Sequence, residues 1–365
     1  MKNAFSKTLR RAKRLMRLAR PPKALGRIQK TMTAAMVKPA RKLTAKPLAK
    51  TSRSRTCKRP KTAGTPARLA PTPRIPDGAQ YLARTHRSAS GARGYKLYVP
   101  ASNPKRPAGL ILMLHGCNQG ADDFALGTHM NALGEKHGLV IAYPSQSARH
   151  NAASCWNWFK PAHQQRGAGE PAILASLTRK LMREFGLDRD AVFVAGLSAG
   201  GGMTAILADV YPDIFSAAGI HSGLARGTAR NVISAMRVMR KGGATPPGAP
   251  VFAAPARRVR RIVFQGDADS TVHPSNADTI IAAAMGSDAV PAKVGNRTVR
   301  GRGYVRSDYA GPDGAILIEL WIIEDAGHAW SGGRKAGSYT DSKGPDASAQ
   351  MVRFFLANPA QGRRL

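Results

Sequence analysis

From about residue 94 the chain alternates short apolar runs with longer amphipathic stretches. Apolar runs predict strands over 95–99, 109–114, 139–143, 191–195, 216–221, 261–265 and 315–323. Helical periodicity between them predicts helices over 121–137, 170–185, 199–209, 228–241, 275–285 and 345–357. Several of the strand runs have no polar alternation, the pattern of strands covered on both faces. Regular strand–helix alternation then predicts an α/β chain with a mostly parallel central sheet and helices on both faces. Residues 286–310 depart from this rhythm. They are rich in Gly, Arg and Val and alternate over 298–308, which reads as a small hairpin or excursion before the last strand.

Charge divides the chain in two. Residues 1–76 hold 23 of the 57 lysines and arginines and none of the 21 acids, so they supply about two thirds of the net +36. Proline breaks and self-repulsion over 38–76 predict a disordered segment. Residues 5–35 have apolar positions for a basic helix that Pro21 and Pro22 interrupt. The expected organisation is a basic, largely disordered tail over 1–76 and one α/β domain over 77–365. A tail of this charge suits contact with an anionic surface, such as a granule, phospholipid or nucleic acid; the plainer reading is a solvated tether. The tail lacks the uninterrupted apolar run of roughly 7–15 residues that marks an ordinary signal peptide, and no run reaches the ~18 residues of a membrane span. Nothing in the Cys spacing matches a metal site.

Chemistry concentrates in four places. Gly196-Leu197-Ser198-Ala199-Gly200 follows a strand and opens a helix, the context in which G-x-S-x-G lifts a serine hydroxyl out of a sheet on a sharp turn. A serine needs a base, and the base an orienting acid, in the chain order Ser, Asp, His. After Ser198 the strand over 261–265 leads to Asp267 and Asp269. Asp269 stands further into the loop and is the better placed to reach a histidine. His328 lies in Gly327-His328-Ala329-Trp330 after the last long strand and is the candidate base. His221 comes before the acid and reads as a satisfied, partly buried histidine; His273 reads as a loop residue. His115-Gly116-Cys117-Asn118-Gln119 follows an early strand, and acyl transfer needs two N–H donors for the oxyanion. The candidates are Cys117 and Ala199. Candidate substrate contacts are His115, Trp156, Asn157 and Trp330. Trp156 and Asn157 lie in an aromatic loop, Ser154-Cys155-Trp156-Asn157-Trp158-Phe159, that reads equally as a core plug. Cys117 and Cys155 read equally as a disulfide or as two free thiols.

Taken together, His115–Gln119, Cys155–Trp158, Gly196–Gly201, the Gly266–Val272 loop and Gly327–Trp330 make the chain resemble the polyhydroxybutyrate depolymerase family of esterases, in particular the type 1 catalytic domain of short-chain-length polyhydroxyalkanoate depolymerases. The resemblance covers about residues 78–358. It implies an α/β-hydrolase fold, hydrolysis of 3-hydroxyalkanoate esters without a cofactor or metal, and an extracellular habit. The missing ordinary signal peptide and the lack of a following substrate-binding domain leave a cytoplasmic or granule-associated location as the alternative. Feruloyl and acetyl-xylan esterases share much of the pattern, so a small ester is the second substrate reading. A non-catalytic protein on an anionic surface is the third, against which the ordered Ser–Asp–His set argues.

Overall fold

A computed structural model describes residues 72–243 and 258–357. The expected tail therefore lies almost wholly outside the described residues, as does Cys57. The element order begins with strands β1 (Gln80–Ser88), β2 (Gly91–Val99) and β3 (Gly109–Leu114), then helices α1 (Ala121–Thr128) and α2 (Met130–His137). Next come β4 (Leu139–Pro144), α3 (Gly169–Phe185), β5 (Val192–Leu197), α4 (Ala199–Val210) and β6 (Ala217–His221). α5 (Val232–Lys241), β7 (Arg260–Gly266), α6 (Ser275–Met285), β8 (Lys293–Val299), β9 (Arg302–Ala310) and β10 (Ile316–Ile323) follow. Two short strands, β11 (Trp330–Ser331) and β12 (Thr340–Asp341), precede α7 (Ala347–Leu356).

One ten-stranded sheet runs in the order β1-β2-β4-β3-β5-β6-β7-β10-β9-β8. Its centre, from β4 to β10, is parallel, and antiparallel pairs extend both sides: β1 and β2 at one, β9 and β8 at the other. Alternate residues enter opposite layers. Leu110, Leu112, Leu114, Val192 and Val194 pack with α3, α4 and α5; Ile111, Met113, Phe193 and Ala195 pack with α1, α2 and α7. Side chains alternate across a strand, so a strand covered on both faces must be apolar at every position, and β3, β4 and β5 are buried throughout. α3 presents Leu174, Leu177 and Leu181 to this core at helical spacing and ends at Gly186, whose φ of 64° supplies the left-handed stop.

Two features differ from the pattern-based expectation. The single helix expected over 121–137 is broken at His129, which takes a left-handed φ of 45°. α7 holds the break: Ser348 Oγ donates to the Thr128 carbonyl at 2.7 Å, and His129 meets Asp346 at 3.2 Å. β1 is an additional edge strand, exposed along much of its length. The irregular region before β10 forms the hairpin of β8 and β9.

Candidate active site

Four chain segments leave the carboxyl ends of parallel strands β3, β5, β7 and β10, where open α/β sheets place ligands. They carry the His115 turn, Ser198, Asp269 and His328 respectively.

Ser198 sits between β5 and α4 with φ 57° and ψ −118°, a strained backbone for a residue with a side chain. Its N–H donates to the His221 carbonyl at 2.9 Å, and its carbonyl accepts from Gly202 N–H at 2.8 Å. The flanking glycines are required by close approach. A Cβ on Gly196 would lie 2.5 Å from the Gly200 backbone, and one on Gly200 would lie 2.1 Å from the Leu114 carbonyl oxygen. The turn can be this tight only without those side chains, and the first N–H groups of α4 then lack intrahelical acceptors.

The β3 turn packs against it. A Cβ on Gly116 would stand 3.6 Å from Ser198 Cβ. Within the turn, Gly116 N–H donates to Gln119 Oε1 at 2.9 Å and Asn118 N–H to the Ala153 carbonyl at 2.8 Å. Among the described residues Cys117 N–H has no recorded acceptor, so it remains available to a ligand. Gln119 ties the turn to Asp123 Oδ2 at 2.9 Å and to the Ser338 carbonyl at 3.1 Å. A disulfide joins Cys117 to Cys155 and closes a sequence separation of 38 residues. In the chain-entropy treatment, such a loop is worth up to about 4 kcal/mol. Cys117→Ser with Cys155→Ser should therefore lower the unfolding free energy by about 2–4 kcal/mol in urea titrations, and an unchanged midpoint would contradict a stabilising bridge.

Of the two candidate acids, Asp269 reaches the histidine. His328 Nδ1 lies 2.7 Å from Asp269 Oδ2, whereas Asp267 is exposed. The carboxylate can only accept, so His328 donates from Nδ1 and its Nε2 is left as the basic nitrogen. Asp269 Oδ1 accepts from Thr271 and Val272 N–H at 2.9 and 2.8 Å. Burial acts to raise its pKa, but the His328 bond and these N–H donors outweigh it and hold the carboxyl below its ordinary range.

His221 is the buried histidine beneath the site. Its ring stacks on Trp330 and Phe264 at centroid distances of 5.2 and 5.7 Å, and its Nε2 accepts from Ser331 N–H at 3.0 Å. With its carbonyl on Ser198, it links the Ser198 turn to the loop that carries His328. Burial lowers its pKa to about 3 from 6.5. Between those values the unfolded chain binds a proton that the folded chain refuses. Stability from this group is thus complete above about pH 6.5 and declines as pH falls towards about 3. His221→Asn should flatten that slope while lowering stability at neutral pH. Parallel pH dependence of urea midpoints in the two proteins would contradict this role.

The four candidate substrate contacts are enclosed side chains: His115, Trp156, Asn157 and Trp330 have relative exposures of 0%, 0%, 2% and 1%. Each directs its polar atoms into the scaffold. His115 donates from Nδ1 to the Gly116 carbonyl at 2.7 Å and accepts Gln146 N–H on Nε2 at 3.0 Å. Trp156 Nε1 donates to the His115 carbonyl at 3.1 Å, and Trp330 Nε1 to Ser348 Oγ at 3.0 Å. Asn157 donates to Glu170 through its backbone and side-chain nitrogens, both at 2.7 Å. Enclosed in this way they brace the site from behind.

Glu170 is the centre that the sequence reading missed. Its buried carboxylate gathers Asn157, Gln146, Arg93 at 3.1 Å and His163 at 3.4 Å, fixing the aromatic loop against the His115 turn. Burial opposes its ionised form, but these donors prevail and lower its pKa. Nothing local distinguishes this Glu from other acids in a first helical turn. Among the described residues no group of three or more His, Cys, Asp or Glu side chains is arranged to hold a metal ion, and no helix is long and apolar enough to cross a membrane.

Known proteins resemble this chain. Poly(3-hydroxyalkanoate) depolymerase C of Paucimonas lemoignei is 30% identical over 243 residues, which take in 63% of this chain and 57% of that one. Poly(3-hydroxybutyrate) depolymerase of Ralstonia pickettii is 38% identical over 146 residues, 37% of this chain and 30% of that one. The chain thus spans well under two thirds of these two relatives. A solved acetyl xylan esterase from Aspergillus awamori superposes with a TM-score of 0.56 at 22% identity, covering 68% of this chain and 93% of that one, a likeness of fold. The model of the family described as Esterase PHB depolymerase matches residues 93–304, more than half of the chain. The protein therefore has the α/β-hydrolase fold and belongs to the esterase PHB depolymerase family.

Proposed function

We propose that the protein is a serine-dependent carboxylic ester hydrolase that cleaves poly(3-hydroxybutyrate) or related short-chain polyhydroxyalkanoates through an acyl-enzyme. The observation that carries the reading is the 2.7 Å Asp269–His328 hydrogen bond at the carboxyl ends of the parallel strands, where Ser198 also stands on its strained turn. Two relatives named as depolymerases support the substrate class.

In this mechanism His328 Nε2 takes the hydroxyl proton as Ser198 Oγ attacks the ester carbonyl carbon. The N–H groups of Cys117 and Ala199 hold the resulting oxyanion. When the tetrahedral intermediate collapses, the leaving alkoxide takes the proton from His328 and departs as a hydroxyl end group. Water then attacks the acyl-enzyme with His328 again as base, releasing a carboxylic acid and restoring Ser198. Asp269 holds the imidazole in the Nδ1–H tautomer and stabilises the imidazolium formed in each half-reaction.

The Cys117–Cys155 bridge supports an oxidising, extracellular location. Contact of the basic segment over 1–76 with an anionic surface rests on its charge alone. The test compares amorphous polyhydroxybutyrate granules with a soluble short-chain p-nitrophenyl ester. Clearing of granules with release of 3-hydroxybutyrate or its oligomers is expected. Cleavage of the soluble ester without clearing would keep the esterase and remove the polymer substrate, leaving the small-ester reading that the acetylxylan and feruloyl esterase relatives represent.

A further inference from the structure

The described surface has an open depression of about 410 Å³ lined by Arg300, Gly332, Gly333, Arg334, Lys335 and Ser342. Its walls carry three cationic side chains, one hydroxyl and no acid. Arg300 has a weak partner at the margin, Asp346 at 3.7 Å, and His129 shares that carboxylate. Arg334 and Lys335 are exposed, with no ion pair among the described residues. The arrangement suits a carboxylate, which several converging cationic donors bind better than any neutral group.

The backbone at Arg300 and at Arg334 is fixed. Arg300 and Gly301, with φ 51° and 73°, form the two-residue turn between β8 and β9, and both positive angles suit the tight hairpin geometry. Arg334 N–H donates to the Gly127 carbonyl at 2.8 Å, and its own carbonyl accepts from Thr340 Oγ1 at 3.0 Å. Ser338, three residues past Lys335, is bound by Gln119 of the Cys117 turn and by Asp123. These anchors also locate the depression. The β8–β9 tip stands at the carboxyl end of β10, where Glu324 N–H donates to the Gly303 carbonyl at 3.0 Å. Gly332 follows His328 by four residues, so their Cα atoms are at most ~14 Å apart. The depression thus shares its loop with the candidate base and is tied to the turn that carries the oxyanion donor.

From this placement we infer that the depression is a carboxylate subsite that receives the free acid end of a short hydroxyalkanoate oligomer while one of its ester bonds lies at Ser198. The inference rests on the ester hydrolase reading above. Every hydrolytic cut of a polyester creates a new carboxylate end, so such a subsite would favour soluble oligomers that carry one. It would also make the hydroxy acid product a competitor for the site.

The test uses the full chain and Arg334→Gln with Lys335→Gln, exposed positions outside the catalytic set. Substrates are the 3-hydroxybutyrate trimer as free acid and as methyl ester, with p-nitrophenyl butyrate as the neutral control. The wild type should prefer the free acid. The double variant should raise KM for the free acid about tenfold and leave the methyl ester and the control unchanged. The free acid trimer should also inhibit hydrolysis of the control competitively, and the variant should weaken that inhibition by a similar factor. Equal turnover and inhibition by acid and methyl ester in the wild type, or equal losses on both in the variant, would overturn the subsite. If neither trimer is cleaved, the polyester reading falls, and inhibition of the control by acid against methyl ester still decides the subsite.

Discussion

Ser198→Ala is expected to reduce hydrolysis of a soluble p-nitrophenyl ester by on the order of 10⁴-fold or more, because it removes the proposed bond-forming atom and leaves only binding and oxyanion stabilisation. The fold should survive, since the backbone bonds from Ser198 N–H to His221 and from Gly202 to the Ser198 carbonyl do not involve the hydroxyl. The loss should therefore appear in kcat with little change in the urea midpoint. A variant that retained wild-type turnover would remove Ser198 from the chemistry.

Asp269→Asn should lower kcat by on the order of 10³–10⁴-fold with a near-native fold. The amide keeps the size of the carboxylate, but it can present an N–H to His328 Nδ1. That favours the tautomer with its proton on Nε2, where the base must be free. The negative charge that stabilises the imidazolium is lost as well. A second effect follows from the depressed acidity of Asp269. A carboxyl whose folded pKa lies below its unfolded value adds stability at neutral pH, and that stability is lost as pH falls through the acid range to the folded pKa. The Asn variant should lack this part of the acid dependence in urea titrations at about pH 7 and below. Asp267→Asn, at an exposed position without the His328 bond, should change turnover little. Equal losses in the two variants would contradict the assignment of the acid.

The parallel centre of the sheet was legible because burial on both faces forces uninterrupted apolar runs; β3 is buried at all six of its positions, and β4 and β5 are as enclosed. β1 escaped notice for the opposite reason. An edge strand with one neighbour needs few apolar residues, and Gln80–Ser88 carries Arg84, Thr85 and Arg87 in its second half. The break at His129 depends on Ser348 and Asp346, more than 200 residues away, and no local pattern records such a partner. At the site, the apolar runs before Ser198, Asp269 and His328 placed these residues after strand ends, and the structure has them there. The bracing was not legible. Trp156, Asn157 and Trp330 look alike in sequence whether they face substrate or support its pocket, and only their burial and their bonds to His115, Glu170 and Ser348 distinguish the two. Cys117 and Cys155 were likewise ambiguous until the packing of the aromatic loop against the His115 turn brought them together.

The central claim is that Ser198, activated by His328 and Asp269, is the acyl-accepting group. The most direct measurement treats the native protein with a fluorophosphonate, which phosphonylates activated serines, and maps the adduct by peptide mass spectrometry. One adduct per chain on Ser198, with esterase activity lost in proportion to its formation, is the result expected. Labelling of a different residue in step with inactivation, or full activity in protein completely modified at Ser198, would contradict it.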